Sequence, residues 1–356
     1  MNVEITERPL ITFALFAYNQ EKYVREAVEG AFGQTYRPLE IILSDDCSGD
    51  RTFEVMRDMA SAYRMPHQII LNRNDRNLGI PAHVNQVMKL AHGQLVVAAA
   101  GDDISLPERC ELTYKTWLRH DRRHYSIAMG FEPLYDTACA IRKKPRPPVD
   151  DVFQAIRRAT ADVIGASYAW HRGIFEAFGP LPTDIPTEDH VLSFRSLLLG
   201  GIAFDPTPVV RYRLHSGNYL STFAREHQGW RGRMVYTRRK YQAAQLHVAA
   251  FAKDIDRAFT LGLITDRERQ SLQNAARDAH TSFGMRARLL DPDRGVRIRT
   301  AIGILHRNPN NEYSLKRRLF YLLAAISPYL YVFLDLKQSQ SNQLLAEKAD
   351  VKQTRS

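Results

Sequence analysis

An apolar run, Leu95–Ala100, ends abruptly in Gly101-Asp102-Asp103 and continues as Ile104-Ser105-Leu106-Pro107. A short run that is β-branched at its start reads as a buried strand. Two adjacent carboxylates at the end of such a strand repel each other and are costly to bury without a partner. A divalent cation removes that repulsion, and hard cations such as Mg²⁺ prefer carboxylate oxygens. Gly-Asp-Asp is also good turn chemistry after any strand. The pair alone therefore leaves two readings open, a metal site and a plain turn.

The chain before this point alternates strand with helix. Residues 10–17 (LITFALFA) form an apolar strand, broken by Tyr18-Asn19-Gln20, where Asn19 can cap the next helix. Tyr23, Val24, Ala27, Val28, Ala31 and Phe32 recur at helical spacing, and Gly33 ends that helix. A strand at 39–43 runs into the polar turn Ser44-Asp45-Asp46-Cys47-Ser48-Gly49-Asp50, followed by a helix at about 52–63 and a strand at 68–71. Asn77-Leu78-Gly79 opens a helix over 81–91, with Pro81 early, where its missing N–H does no harm. This alternation predicts a parallel sheet covered on both faces, with ligands bound outside the carboxyl ends of its strands. Three polar clusters fall there: Tyr18-Asn19, Asp45-Asp46 and Asp102-Asp103. Neither Gly-x-Gly-x-x-Gly nor Gly-Lys-Ser/Thr occurs, so a phosphate must be held otherwise, most simply through a metal.

Beyond Arg109 the pattern loosens. Residues 111–120 read as a helix, 127–134 as a strand, and 141–151 (IRKKPRPPVDD) as a basic, proline-rich surface loop. Residues 163–171 are mixed apolar and aromatic, and 181–186 form a rigid connector. Thr187 can cap a helix over 191–199, with Glu188 and Asp189 suiting its dipole, a structural role that suffices for both acids on its own. Gly200-Gly201 ends the helix, and short strands follow at 202–205 and 209–214. The second leads into Arg211-Tyr212-Arg213-Leu214-His215. Guanidinium suits phosphate oxygens and imidazole can ligate a metal.

The chain has 356 residues and is 44% apolar, enough for a substantial core. Charge is uneven: residues 1–220 carry 25 basic and 27 acidic side chains, residues 221–356 carry 24 and 12. That asymmetry divides the chain into a near-neutral first part, 1–220, and a basic helical extension, 221–310. Helices are expected there at 230–251, 254–263 and 266–289. No nucleic-acid motif accompanies the basic residues, so nucleic acid is not an expected partner. Residues 319–334 follow Lys316-Arg317-Arg318 and carry no charge, but they fall short of the ~20 residues of a spanning helix, and Pro328 interrupts them. The segment 311–337 is therefore either a packed helical hairpin or an anchor on an anionic membrane surface. Residues 338–356 read as a polar, disordered tail. Cys47, Cys110 and Cys139 are widely separated, which argues against a disulfide framework or zinc site and for a reducing compartment. The amino terminus has no apolar leader, so the expected location is cytoplasmic, with a peripheral position on the inner face of the plasma membrane if the anchor reading holds.

Taken together, Phe16-Ala17-Tyr18-Asn19, the 41–50 turn, Asn77-Leu78-Gly79, Gly101-Asp102-Asp103, Thr187-Glu188-Asp189 and Tyr212-Arg213-Leu214-His215 resemble, in order and separation, the family 2 glycosyltransferases. The resemblance covers about residues 8–220. It implies a GT-A, Rossmann-like mixed α/β sheet with helices on both faces, here with a C-terminal helical extension. It implies that Ala17, Tyr18, Asn19, Asp45 and Asp46 hold the nucleobase, with Asp45 accepting from a ring N–H, and that Asn77 and Gly79 line the nucleotide. Asp102 matches the metal-binding acid and also serves the donor, with Asp103 beside it. Asp189 matches the catalytic base, with Glu188 as its neighbour. Arg213 and His215 match positions that meet diphosphate and metal. Two residues depart from the pattern: Ala100 replaces an acid, and Cys47 stands where glycine is common. The implied protein is an inverting glycosyltransferase of polysaccharide or cell-surface glycan assembly. It would use Mg²⁺ or Mn²⁺, a nucleotide-diphosphate sugar, UDP first, and a glycan or lipid-linked acceptor. The rivals are a non-catalytic nucleotide-sugar-binding scaffold and a nucleotidyltransferase, which would lack its Gly-rich, Lys-bearing loop.

Overall fold

The computed structural model describes residues 8–64, 66–135, 146–214, 229–306, 326–328 and 332. Its centre is β1 (Ile11–Ala17), flanked on both sides by parallel strands β2 (Leu39–Asp45) and β4 (Leu95–Ala100), with β3 (Gln68–Arg73) outside β2. All seven residues of β2 are buried, as a strand covered on both faces requires. The covering helices of this half are α1 (Val24–Phe32), α2 (Thr52–Ala62), α3 (Ile80–Leu90) and α4 (Arg109–Arg119). In α1 the buried set Val24, Ala27, Val28 and Ala31 follows the i, i+3, i+4, i+7 rule of one helix face.

The second half makes the sheet mixed. Its strands are β5 (Ile104–Ser105), β6 (Ser126–Tyr135), β7 (Tyr168–His171) and β8 (Ile202–Leu214), and the sheet order is β3-β2-β1-β4-β7-β6-β8-β5. The strands expected at 202–205 and 209–214 are one strand. Pro206 and Pro208 interrupt its pattern without ending it, because the ladder to β6 shifts register on either side of Gly130. A Cβ at Gly130 would lie 2.0 Å from the Pro206 carbonyl oxygen, so only glycine lets the bulged strand pass.

Two expected caps are otherwise employed. Asn19 does not cap α1, whose N-terminus lies at Tyr23; its side chain accepts from Gly49 N–H at 2.9 Å and so ties the end of β1 to the turn after β2. Thr187 does not cap α7 (Asp189–Leu199), which starts from Glu188; the Thr187 hydroxyl is buried and makes no hydrogen bond among the described residues. Short helices α5 (Val152–Arg158) and α6 (Gly173–Phe178) lie between β6 and α7 in sequence. The carboxy-terminal part contains α8 (Gly229–Thr260), α9 (Asp266–Leu289) and α10 (Arg294–His306). One helix, α8, spans the break expected between 251 and 254.

The chain divides into two compact units, Met1–His215 with Leu246–Ala279, and Ser216–Gln245 with His280–Ser356. Within the first, the second half of α8 packs on α7. Asp254 forms a fork with Arg195 (Nε to Oδ2 2.9 Å, Nη2 to Oδ1 3.1 Å), both buried, and the rings of Phe251 and Phe194 stack at 4.0 Å. Arg195 also donates to the Gly179 carbonyl at 2.8 Å. That buried pair explains why the helix runs on through 254: the acid is committed to packing, not to a cap. Within the second unit, Arg238 pairs with Asp291 at 2.5 Å. No helix among the described residues is long and apolar enough to cross a membrane. The basic loop at 141–145, most of the 311–337 segment and the 338–356 tail lie outside the described residues.

Removing one partner of a buried ion pair leaves the other charge uncompensated. Asp254→Ala should therefore lower stability by ~3–5 kcal/mol. Urea unfolding followed through the buried Trp117 and Trp170 measures it.

Candidate active site

Sheet register brings the carboxyl ends of four strands level: Ala17 pairs with Asp45, Asp45 with Arg73, and Phe16 with Ala100. The three polar clusters therefore share one edge. Gly101 is needed where β4 meets β1, since a Cβ there would sit 2.5 Å from Gln20 Oε1 and 2.9 Å from Ala17 Cβ.

At the ends of β1 and β2, Ala17 is buried and Tyr18 is 47% exposed, an aromatic face offered to solvent at the sheet's edge. Asp45 is fully buried. Its carboxylate accepts from the Ser48 N–H at 2.9 Å and from the Ser48 hydroxyl, with Arg73 Nε at 3.5 Å. Asp46 holds the next loop: Oδ1 accepts from Asn74 Nδ2 (2.7 Å) and Leu78 N–H (2.9 Å), and Oδ2 accepts from Gly79 N–H (2.9 Å). Asn77 Oδ1 also accepts from Gly79 N–H at 3.1 Å, and Gly79 has φ +76°, where glycine is unstrained. Cys47 itself has φ +61°, so the position where glycine is common keeps a left-handed backbone despite its side chain. Structure thus joins Ala17, Tyr18, Asn19, Asp45, Asp46, Asn77 and Gly79 into one hydrogen-bonded rim. Asp46 serves there as a loop brace.

On the acidic side, Asp102 and Asp103 are both nearly buried. Asp103 Oδ1 accepts from the Arg213 N–H at 2.8 Å, while its Oδ2 is buried and makes no hydrogen bond among the described residues. Burial, and then the neighbouring Asp102, push Asp103 well above the ordinary carboxylate range. An orphaned carboxylate oxygen beside a second carboxylate is a hard-oxygen donor set that fits a divalent cation. No group of three His, Cys, Asp or Glu able to hold a metal occurs among the described residues, and the third expected ligand, His215, lies outside them. Arg213 braces this turn. Its Nε donates to the Asp102 carbonyl at 2.9 Å, Nη2 donates to Glu26 on α1, and its guanidinium lies 4.8 Å from the Tyr23 ring.

Asp189 and Glu188 stand at the start of α7. Asp189 Oδ1 accepts from the His190 N–H at 2.9 Å. Glu188 packs against the single 3₁₀ turn Gly165–Ser167, so closely that a Cβ on Gly165 would be 2.7 Å from Glu188 Oε1. Tyr212 connects the two acid pairs: burial raises its phenol, and then Asp103, Asp102 and Asp189 do, so one phenol feels all three carboxylates.

Sequence patterns passed over several of these residues. Arg109 is the main one. It is buried, donates to Ser105 Oγ (2.9 Å), to the Ala166 carbonyl (2.8 Å) and to the Ala98 carbonyl, and is pushed down to about 10 by burial. It therefore ties the strand under Asp102-Asp103 to the turn that packs on Glu188. Arg73 and Gly165 are likewise defined by partners distant in sequence, whereas Ser48 and Tyr212 stand in the motifs quoted above without a role of their own, Ser48 at the ordinary Asx-type spacing from Asp45.

Burial, and then the charge of Asp189, push Glu188 up to about 8. A carboxyl raised on folding is held more tightly protonated in the folded state, so its contribution to stability falls as pH climbs from its ordinary range towards that value. Glu188→Gln removes this loss. Its stability advantage over the wild type should open above about pH 5 by no more than ~1.4 kcal/mol per pH unit and level off above the raised value. Urea midpoints across that range measure the gap.

Comparison with known proteins bears on the fold that carries these residues. Residues 12–131 match the model of the glycosyl transferase family 2. An uncharacterized protein of Mycobacterium tuberculosis is 26% identical over 225 residues, 61% of this chain and 62% of that protein. The chain thus spans about three-fifths of the length of the curated relatives it matches first. Among solved structures, S. aureus TarS 1–349 in complex with UDP-GlcNAc aligns with TM-score 0.52 and 15% identity over 92% of each chain. The mannosyltransferase PcManGT from Pyrobaculum calidifontis, in complex with GDP-Man and Mn²⁺, aligns with TM-score 0.51 and 18% identity over 92% of this chain and 86% of that one. Residues 12–131 are thus similar to the glycosyl transferase family 2, and the fold of the chain is the GT-A fold of these structures.

Proposed function

We propose that the protein is an inverting glycosyltransferase that moves a sugar from a nucleotide-diphosphate sugar to an acceptor hydroxyl. The observation that carries this reading is that acids from two places, the Asp102-Asp103 turn and Asp189 at the start of α7, both raise a single buried phenol, Tyr212, beside the rim built from Tyr18 to Gly79. The first suits the leaving group and the second suits the attacking hydroxyl. Asp102 and Asp103 would hold Mg²⁺ or Mn²⁺, with His215 as a further ligand; the cation would offset negative charge on the departing diphosphate. Asp45 and the exposed ring of Tyr18 bind the base, UDP being the first nucleotide to test, and Arg213 keeps the metal turn in place beneath the diphosphate. Asp189 takes the proton from the acceptor hydroxyl as it attacks the anomeric carbon on the face opposite the nucleotide. One displacement inverts that centre. Glu188, held protonated near neutral pH, adds no second negative charge beside the base. The acceptor is proposed to be a glycan or lipid-linked sugar of surface polysaccharide assembly, met at the inner face of the plasma membrane, where the basic carboxy-terminal part of the chain would face anionic lipid.

Asp189→Asn should abolish transfer, a loss of ~10²-fold or more in kcat, and leave donor affinity unchanged. Asp102→Ala should lose Mn²⁺-dependent donor binding in calorimetry run with and without the metal. A screen of UDP-, GDP- and dTDP-sugars for Mn²⁺-dependent donor hydrolysis identifies the nucleotide. Wild-type turnover by Asp189→Asn would remove the assignment.

A further inference from the structure

The residue after the proposed base is placed to extend its chemistry. His190 Nδ1 lies 2.9 Å from the Ala159 carbonyl oxygen, in the turn that ends α5. A carbonyl only accepts, so Nδ1 carries a proton, and in the neutral ring the lone pair is on Nε2. Nε2 is 3.6 Å from Asp189 Oδ1. The same oxygen accepts from the His190 N–H, which fixes the carboxylate against the helix start. Behind the ring lies His247 of α8, with centroids 4.4 Å apart and planes inclined at 33°. Burial, and then His190, push His247 down to about 3, so it is neutral at working pH. The titratable groups facing the His190 ring are thus Asp189 from its own helix and His247 from α8, while the α5 side presents a carbonyl.

We propose that Asp189 and His190 form a proton-relay dyad in which Nε2 of His190 receives the proton that Asp189 takes from the acceptor hydroxyl. The inference rests on the reading of Asp189 as the base. Imidazole as a chemical group is a stronger base than a carboxylate, so passing the proton on restores the carboxylate next to the reacting oxygen. As the acceptor O–H bond breaks, its electron pair forms the new bond to the anomeric carbon and the nucleotide diphosphate leaves with the bond it held. The proton moves to Asp189, then to Nε2. The resulting imidazolium donates to the Ala159 carbonyl from Nδ1 and to the Asp189 carboxylate from Nε2, and it lies against a neutral ring instead of a second cation. Release of the proton to water resets the dyad.

His190→Gln tests this in the full chain, because glutamine can still donate to the Ala159 carbonyl but cannot take up a proton. His190→Phe removes both properties. Thermal unfolding confirms that each variant is folded, and His190→Asn replaces either one that is not. The relay predicts a 10- to 100-fold fall in kcat in both variants, with KM for donor and acceptor and calorimetric donor affinity unchanged. It also predicts that the kcat–pH profile of both variants differs from that of the wild type, since only Asp189 is left to shape it. A His190→Gln enzyme with wild-type kcat and pH profile overturns the relay, as does an effect confined to KM. Asp189→Asn, measured in parallel, separates the two ideas. If it retains wild-type kcat, the base assignment itself fails. If it is inactive while His190→Gln is not impaired, only the relay fails.

Discussion

Two like charges forced together at the end of a buried strand set the terms for the first unit. Asp102 and Asp103 lie where water reaches poorly, and among the described residues no cationic side chain is bonded directly to the second oxygen of Asp103. The protein compensates indirectly. A backbone N–H from β8 takes one oxygen of Asp103, the Arg213 guanidinium holds the Asp102 carbonyl, and buried Arg109 contributes positive charge from below. Such a turn is stable as a turn but remains electrostatically unsatisfied, the condition in which a divalent cation gains most on binding. Glu26 and Tyr23 on α1, which hold Arg213, thereby connect the first helix of the chain to its last strand.

Much of this was legible in the sequence because the relevant signals are local. A strand, a turn and a helix start each leave a short signature, and the parallel alternation of residues 10–100 aligns their ends at one edge without further information. The acids at 45–46, 102–103 and 188–189 were therefore placed correctly relative to the secondary structure. Asn19 and Thr187 show the limit of local reading. Both are good capping residues, but Asn19 bonds to the turn after a neighbouring strand and Thr187 is turned inward. A tertiary partner decided the case of Asn19, whereas at Thr187 burial removed the hydroxyl from the helix start without supplying a partner among the described residues.

What could not be read depends on contacts between residues far apart in the chain. Arg109 looks like an ordinary charged residue in the first turn of a helix, where an acid would suit the dipole better. Its role arises only because Ala98, Ser105 and Ala166 converge around it. Gly165 carries no motif either; its lack of a side chain matters because Glu188 occupies the space. Neither feature repeats or follows a period, so no pattern argument reaches them.

The division of labour within α8 follows the same logic and changes the standing of the region after residue 220. His247, Phe251 and Asp254 recur at i, i+4 and i+7, one stripe of a helix. Their partners, His190, Phe194 and Arg195, form the matching stripe on α7. The sequence pattern does not show the first stripe, because it predicts a break between 251 and 254 and because the partner stripe lies some 55 to 60 residues earlier in the chain. The pairing means that the helix carrying the proposed base is buttressed along its length by chain from beyond the family-matched segment. Stacked rings fix its rotation and an ion-paired fork fixes its axial position. The orientation of Asp189 towards a substrate therefore depends on residues 247–254 as much as on the sheet edge from which the other acids project.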